Sequence, residues 1–181
     1  MDKTALREEM RALGPLAPGV SEQITDALFG WLSSRLPATI SAFLPMEGEV
    51  DLRPLMGRLP GWRWVLPRVE PDRSVTFRDA GLPRETHRFG MEQPIDSGTI
   101  IPLHEIDVFL VPGLAFDRAG RRLGNGAGHY DRILSGARGD AVSIGMAPLA
   151  RVVDVVPTDA HDVRVGWLAT ETGVLSCPPN G

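Results

Sequence analysis

The 181 residues make about one domain's worth of chain, and 43% apolar with 23% charged residues exclude bulk disorder. A net charge of −4 leaves no basic field for nucleic acid or an anionic membrane surface, so any phosphate must be held by local groups. The single cysteine, Cys177, excludes an intrachain disulfide, no run reaches the roughly 20 apolar residues of a membrane span, and MDKTALREEMRALG carries charge where a secretory peptide is apolar.

A soluble cytoplasmic protein is therefore expected. Leu6, Met10 and Leu13 form a helical stripe over Thr4–Leu13, which GPLAPG (Gly14 to Gly19) ends. Ser21 is a candidate cap for a second helix with Ile24, Leu28, Trp31 and Leu32 on one face, stopped at Pro37. TISAFLP reads as a strand, VDLRPLMGRL as a short helix, and WRWVLPRV and SVTFRD as strands. Gly81 to Pro102 lacks periodicity and reads as loop. IDVFLVPG, Ile106 to Gly113, is an apolar run bounded by glycine and reads as a buried strand.

A glycine-rich connection then leads into HYDRILSG, a helix ending at Gly136, and AVSIGM, ARVVDVVP and VRVGWLATE follow as strands. Strands alternating with helices predict an α/β fold with a largely parallel central sheet. A single domain over 1–181 is expected, with N-terminal helices in 1–36, the α/β core in 37–175 and a tail in 176–181. Ligands of such sheets lie beyond the carboxyl ends of strands, which points to the loop after DVFLVP.

In that loop Gly124, Gly126 and Gly128 are spaced by two, so backbone N–H groups can approach one anion while the following helix N-terminus adds positive potential. Arg121 and Arg122 can add charge-assisted contacts. No Lys-Ser/Thr follows, so this is not a Walker A loop, and His129 stands at the third glycine position of G-x-G-x-x-G. Read alone, the stretch is equally a flexible turn. Asp131 can hold a Mg²⁺ that bridges phosphates, or complement the helix dipole as a first-turn acid. Lys3, the only lysine, and Arg7 are i and i+4 on one helix face, aimed at an anion or at solvent.

VPGLAFDRAGRRLGNGAGHYDRIL, Val111 to Leu134, resembles the signature of the 5-formyltetrahydrofolate cyclo-ligases, v-P-G-l-a-F-D-x-x-G-x-R-L-G-x-G-x-G-y-Y-D-r. KTALR resembles the family's K-x-x-L-R, FLPMEGEVDLRPL its folate-lining stretch, VLPRV (Pro67, Arg68) and FGMEQP (Gly90, Glu92, Pro94) two further blocks, and VPTDAHDVRVG its l-P-x-x-x-H-D-x-x-v-D. The resemblance implies a three-layer α/β/α fold similar to that of sugar-phosphate isomerases and CoA transferases. It implies ATP- and Mg²⁺-dependent cyclisation of 5-formyltetrahydrofolate to 5,10-methenyltetrahydrofolate, in a monomer that handles small molecules.

By the same resemblance, Lys3 and Arg7 contact the nucleotide, and Gly124, Gly126 and Gly128 cradle its phosphates with Arg122. Asp131 and Asp162 hold the metal. Leu44, Glu49, His129 and Tyr130 line the folate pocket, Tyr130 and Arg122 act on the reacting groups, and Phe89 or Met91 packs on the pterin. His161 is kept off the metal, and His87 and His104 lack ligand spacing. The sequence departs from the pattern at His129 (usually tyrosine), Gly166 (usually an acid) and Leu52 (often threonine). Those departures leave room for a folate-binding relative without turnover, and the fold class for an isomerase or CoA transferase.

Overall fold

The structure is a computed structural model that describes residues 2–88 and 90–178. The chain opens with helix α1 (Lys3–Ala12), capped by the Asp2 carboxylate, which accepts from the Ala5 amide at 2.8 Å. Helix α2 (Val20–Ser33) follows. Ser21 does not cap it: Gly19 does, in the left-handed region at φ 82°, and the Ser21 hydroxyl instead accepts from the Asp51 amide. Next come β1 (Thr39–Ser41), α3 (Arg53–Arg58), β2 (Arg63–Val69) and β3 (Val75–Asp79).

The stretch 81–102 is not all loop. It holds the hairpin β4 (Arg84–Thr86) and β5 (Glu92–Pro94), tied down by buried Arg68, which bonds Glu85 and the Pro94 carbonyl. Strand β6 (Val108–Val111) is buried at every residue. The glycine-rich connection contains two short strands, β7 (Ala115–Asp117) and β8 (Arg122–Leu123), before α4 (His129–Gly136).

The remaining strands are β9 (Val142–Met146), β10 (Val152–Val153), β11 (Trp167–Thr170) and β12 (Gly173–Ser176). Two corrections concern this end. ARVVDVVP yields only a 3₁₀ turn (Leu149–Arg151) and a two-residue strand in a small sheet with β7 and β8. Beyond Thr170 the chain turns back, with Gly173 at φ 135°, into an antiparallel β12 that the sequence reading did not foresee.

The main sheet runs β12-β11-β9-β6-β1-β2-β3. Its five inner strands are parallel, and β3 and β12 close the edges antiparallel. Alternate residues serve opposite faces, as the period of a strand requires. Val108, Leu110, Ile144 and Met146 pack with Ile24, Leu28 and Leu32 of α2, while Phe109 and Val111 pack with Phe116 and with Ile133 of α4. Helices thus cover both faces of a mostly parallel sheet. Gly145 makes this packing possible, because a Cβ there would overlap the Phe116 ring. Among the described residues no helix is long and apolar enough to cross a membrane.

Candidate functional site

After β1 the chain runs to one side of the sheet, through β2 and β3, and returns to place β6 on β1's other flank. The strand order therefore reverses between β1 and β6, and a crevice opens outside their carboxyl ends. A cleft of about 1600 Å³ lies there, lined by Phe43 and Leu44 after β1, by Leu66 to Val69 of β2, by Pro112 and Gly113 after β6, and by the glycine loop. This exceeds the roughly 300–1,000 Å³ usual for one small ligand and suits two held side by side.

The glycine loop is shaped from beneath by Asp117. Its buried carboxylate accepts from the amides of Ala119, Arg121 and Val156 at 2.9–3.0 Å and pairs with the Arg121 guanidinium. Arg121 is thus spent on the loop's own turn and does not line the cleft. Arg122 does. It is 8% exposed, and its guanidinium pairs with Asp131 at 2.8 Å across the start of α4. Asp131 also accepts from the Val163 amide, which ties α4 to the segment carrying Asp162.

Gly126 and Gly128 sit at φ 107° and 65°, conformations that side chains rarely adopt. At Gly124 a Cβ would lie 2.5 Å from an Arg122 nitrogen, so any side chain there would displace the guanidinium. Arg7 of α1 reaches over and donates to the Gly124 carbonyl at 3.0 Å. Helix α4 begins after Gly128 with no side-chain cap, so its first-turn N–H groups face the cleft end of the loop without an internal partner.

Lys3, one turn before Arg7, joins two carboxylates. Its ammonium lies 2.5 Å from Asp162 and 2.7 Å from Asp159. Burial tends to lower the lysine's pKa, but these bonds more than reverse it. Burial likewise works to raise Asp162, and Lys3 together with the Asp159 amide holds its pKa below the ordinary value. Asp159, His161 and Asp162 bring ligand atoms within 4.8 Å of one another. Asp159 escaped the sequence reading, although the D-x-H-D spacing places it and Asp162 in one turn.

Across the cleft, Glu49 lies in a turn closed on itself. Its amide donates to the Met46 carbonyl, and its carboxylate accepts from the Met46 amide, both at 3.0 Å. Burial pushes the Glu49 pKa up, opposed by that amide and by the charge of Arg151. Tyr130 stands nearby, its hydroxyl buried and without a hydrogen-bond partner. Burial, and then Glu49, push its pKa well above the ordinary phenol value. His129 also lines the cleft, and burial, followed by the charges of Arg132 and His87, lowers its pKa.

All twelve residues assigned from the sequence, Lys3, Arg7, Leu44, Glu49, Arg122, Gly124, Gly126, Gly128, His129, Tyr130, Asp131 and Asp162, line this one cleft. Met91 lines it as well, and Phe89 lies outside the described residues. His104 is exposed and does not line the cleft. The Gly166 departure falls on a backbone site beside β9, where its amide meets Ser143 and its carbonyl Cys177.

The profile of the 5-formyltetrahydrofolate cyclo-ligase family matches residues 2–171. A 5-formyltetrahydrofolate cyclo-ligase of Mycolicibacterium smegmatis is 32% identical over 93% of this chain and 91% of its own length. Among solved structures, the 5,10-methenyltetrahydrofolate synthetase of Aquifex aeolicus superposes with a TM-score of 0.85 at 28% identity, covering all of this chain and 95% of that one. The synthetase of Mycoplasma pneumoniae gives 0.77 at 25% identity, over 94% and 99% of the two chains.

Proposed function

The chain belongs to the 5-formyltetrahydrofolate cyclo-ligase family, and from that premise we propose how its cleft converts 5-formyltetrahydrofolate and ATP into 5,10-methenyltetrahydrofolate, ADP and phosphate. The formyl oxygen on N5 attacks the γ-phosphorus, and ADP leaves. N10 then bonds to the activated formyl carbon, and the bridge forms with loss of phosphate and of the N10 proton. No protein nucleophile is required. The chain must align oxygen and phosphorus and offset developing negative charge.

The observation that carries this reading is the convergence, on one cleft, of a glycine cradle with cationic clamps and of a half-buried carboxylate near a buried tyrosine hydroxyl. Lys3, Arg7 and Arg122 face the nucleotide phosphates together with the backbone of Gly124, Gly126 and Gly128. Glu49 accepts from the donor edge of the pterin, Leu44 packs against the ring, and His129 borders it. The Tyr130 hydroxyl, which lacks a partner within the protein, orients the formyl group.

A hard cation fits the donor set, since Asp131, Asp159 and Asp162 offer carboxylate oxygens and a lysine ammonium already sits against two of them. Asp131 and Asp162 would hold Mg²⁺, and the ligand atom of Asp159 lies within 4.8 Å of that of Asp162. Bound there, the ion would offset phosphate charge. Lys3 must then exchange carboxylate for phosphate oxygens. We place the enzyme in the cytoplasm as a monomer, the latter checked by light scattering.

Purified protein with 5-formyltetrahydrofolate, Mg²⁺ and ATP should develop the near-ultraviolet absorbance of the methenyl product. Growth of that band only when ATP and Mg²⁺ are both present is the expected result. A flat trace from folded protein that still binds folate would overturn the reaction and leave a binding protein.

A further inference from the structure

Arg151 belongs to none of the motifs above and does not line the cleft, yet it is 5% exposed and makes its contacts at long range in the sequence. One guanidinium nitrogen donates to the Gly48 carbonyl at 3.0 Å and the other to the Gly14 carbonyl at 2.7 Å. Gly48 directly precedes Glu49 in the turn that presents its carboxylate to the cleft. Gly14 ends the α1 segment, its amide bonded to the Arg11 carbonyl, and α1 is the helix that carries Lys3 and Arg7.

The fit around Arg151 is close. Gly48 is at φ 79°, and a Cβ there would lie 2.8 Å from one guanidinium nitrogen. The arginine enters from the 3₁₀ turn Leu149–Arg151, which is itself fixed where the Leu149 amide donates to Glu171 at 2.9 Å. Among the described residues Arg151 has no carboxylate within ion-pair distance, and Glu49 is the acid whose charge it feels. A planar fork with two separated donors can hold two carbonyls at a set spacing, which a single ammonium cannot.

We propose that Arg151 is a positioning residue that joins the two halves of the site, holding the Glu49 turn and the end of α1 in one fixed relation so that folate and nucleotide are brought into register together. The inference rests on the assignment of Glu49 to folate and of Lys3 and Arg7 to nucleotide. It predicts that loss of the fork loosens both walls at once, although Arg151 touches neither ligand.

The test uses Arg151→Met and Arg151→Lys in the whole chain, with wild-type turnover measured first so that failure of the reaction itself is seen separately. In Arg151→Met the KM values for both substrates should rise together, by about tenfold, with a smaller fall in kcat. Arg151→Lys keeps the charge and reaches one carbonyl, so it should rescue one KM and not the other. A drop in kcat with both KM values unchanged would mean that Arg151 only contributes to folding, and would overturn the proposal. Amide hydrogen exchange on the ligand-free protein tests the same link without any substrate. Protection should fall in 46–50 and in 12–16 together in Arg151→Met, and a change in only one segment, or in neither, would overturn it.

Discussion

The two ends of β2 open on cavities of different character. At the Arg63 end a space of about 440 Å³ is lined by Trp62, Trp64, Arg53 and Arg63, and its polar groups are matched locally. The Trp64 indole donates to Leu59, Arg53 pairs with Asp51, and Arg63 pairs with Glu105. None of the described side chains lining it leaves a buried polar atom unpaired. At the Val69 end, the much larger cleft retains a buried tyrosine hydroxyl and an arginine Nε with no partner, and a helix start with no side-chain cap. The amino end of the sheet satisfies its own polar groups, whereas the carboxyl end leaves several for a ligand. Stability and chemistry are thus divided along the length of a single strand.

That division can be broken from either side. The largest effect is expected at the amino end: Trp64→Ala should cost about 3–5 kcal/mol in denaturant unfolding while both KM values of the folded fraction stay unchanged. A severalfold rise in folate KM would show that the two ends are not separate. Next, Asp131→Asn should lower kcat/KM about 10²–10³-fold, equivalent to roughly 2.7–4 kcal/mol of transition-state stabilisation. Its loss of stability should be smaller than that of Trp64→Ala, because the amide still accepts from Val163 and only the charge facing Arg122 is removed. Near-normal turnover would remove Asp131 from the metal assignment.

Smaller effects sharpen the contrast. Lys3→Met releases Asp159 and Asp162 from an ion pair worth up to about 1 kcal/mol. Titration with Mn²⁺ in the absence of nucleotide should therefore show about fivefold tighter binding than wild type, while nucleotide binds more weakly. Unchanged Mn²⁺ affinity would mean that Lys3 and the metal do not share those oxygens. The smallest expected change is in pH dependence. Burial raises the Glu49 pKa, so as pH falls its carboxylate is lost earlier than an exposed one would be, and folate KM should climb above the ordinary carboxylate range. Glu49→Gln should flatten that acidic limb, and a limb that persists belongs to another group.

Much of this was legible in the chain because it is imposed locally. The buried β6 shows as an unbroken apolar run, and α4 follows from its stripe and flanking glycines. Gly126 and Gly128 are dictated by backbone angles that other residues resist. The hairpin of β4 and β5 escaped because Arg84–Thr86 is exposed throughout and shows no alternation; it is held by Arg68 from another strand. Arg151 escaped for a similar reason, since both of its carbonyl partners lie far along the chain and no spacing rule announces them. The turn before β12 did carry a signal: Thr172-Gly173 follows an apolar strand closely enough to read as a hairpin.

The ion pair between Lys3 and Asp159 also bears on how the protein is made. The lysine's carboxylate partner follows it by 156 residues, so at roughly 5–20 residues per second of synthesis the N-terminal helix waits about 8–30 s for that partner to be translated. The clasp on α1 therefore forms only after Asp159 has been translated, and a ribosome stalled before that residue carries a nascent chain in which Lys3 has yet to meet this partner.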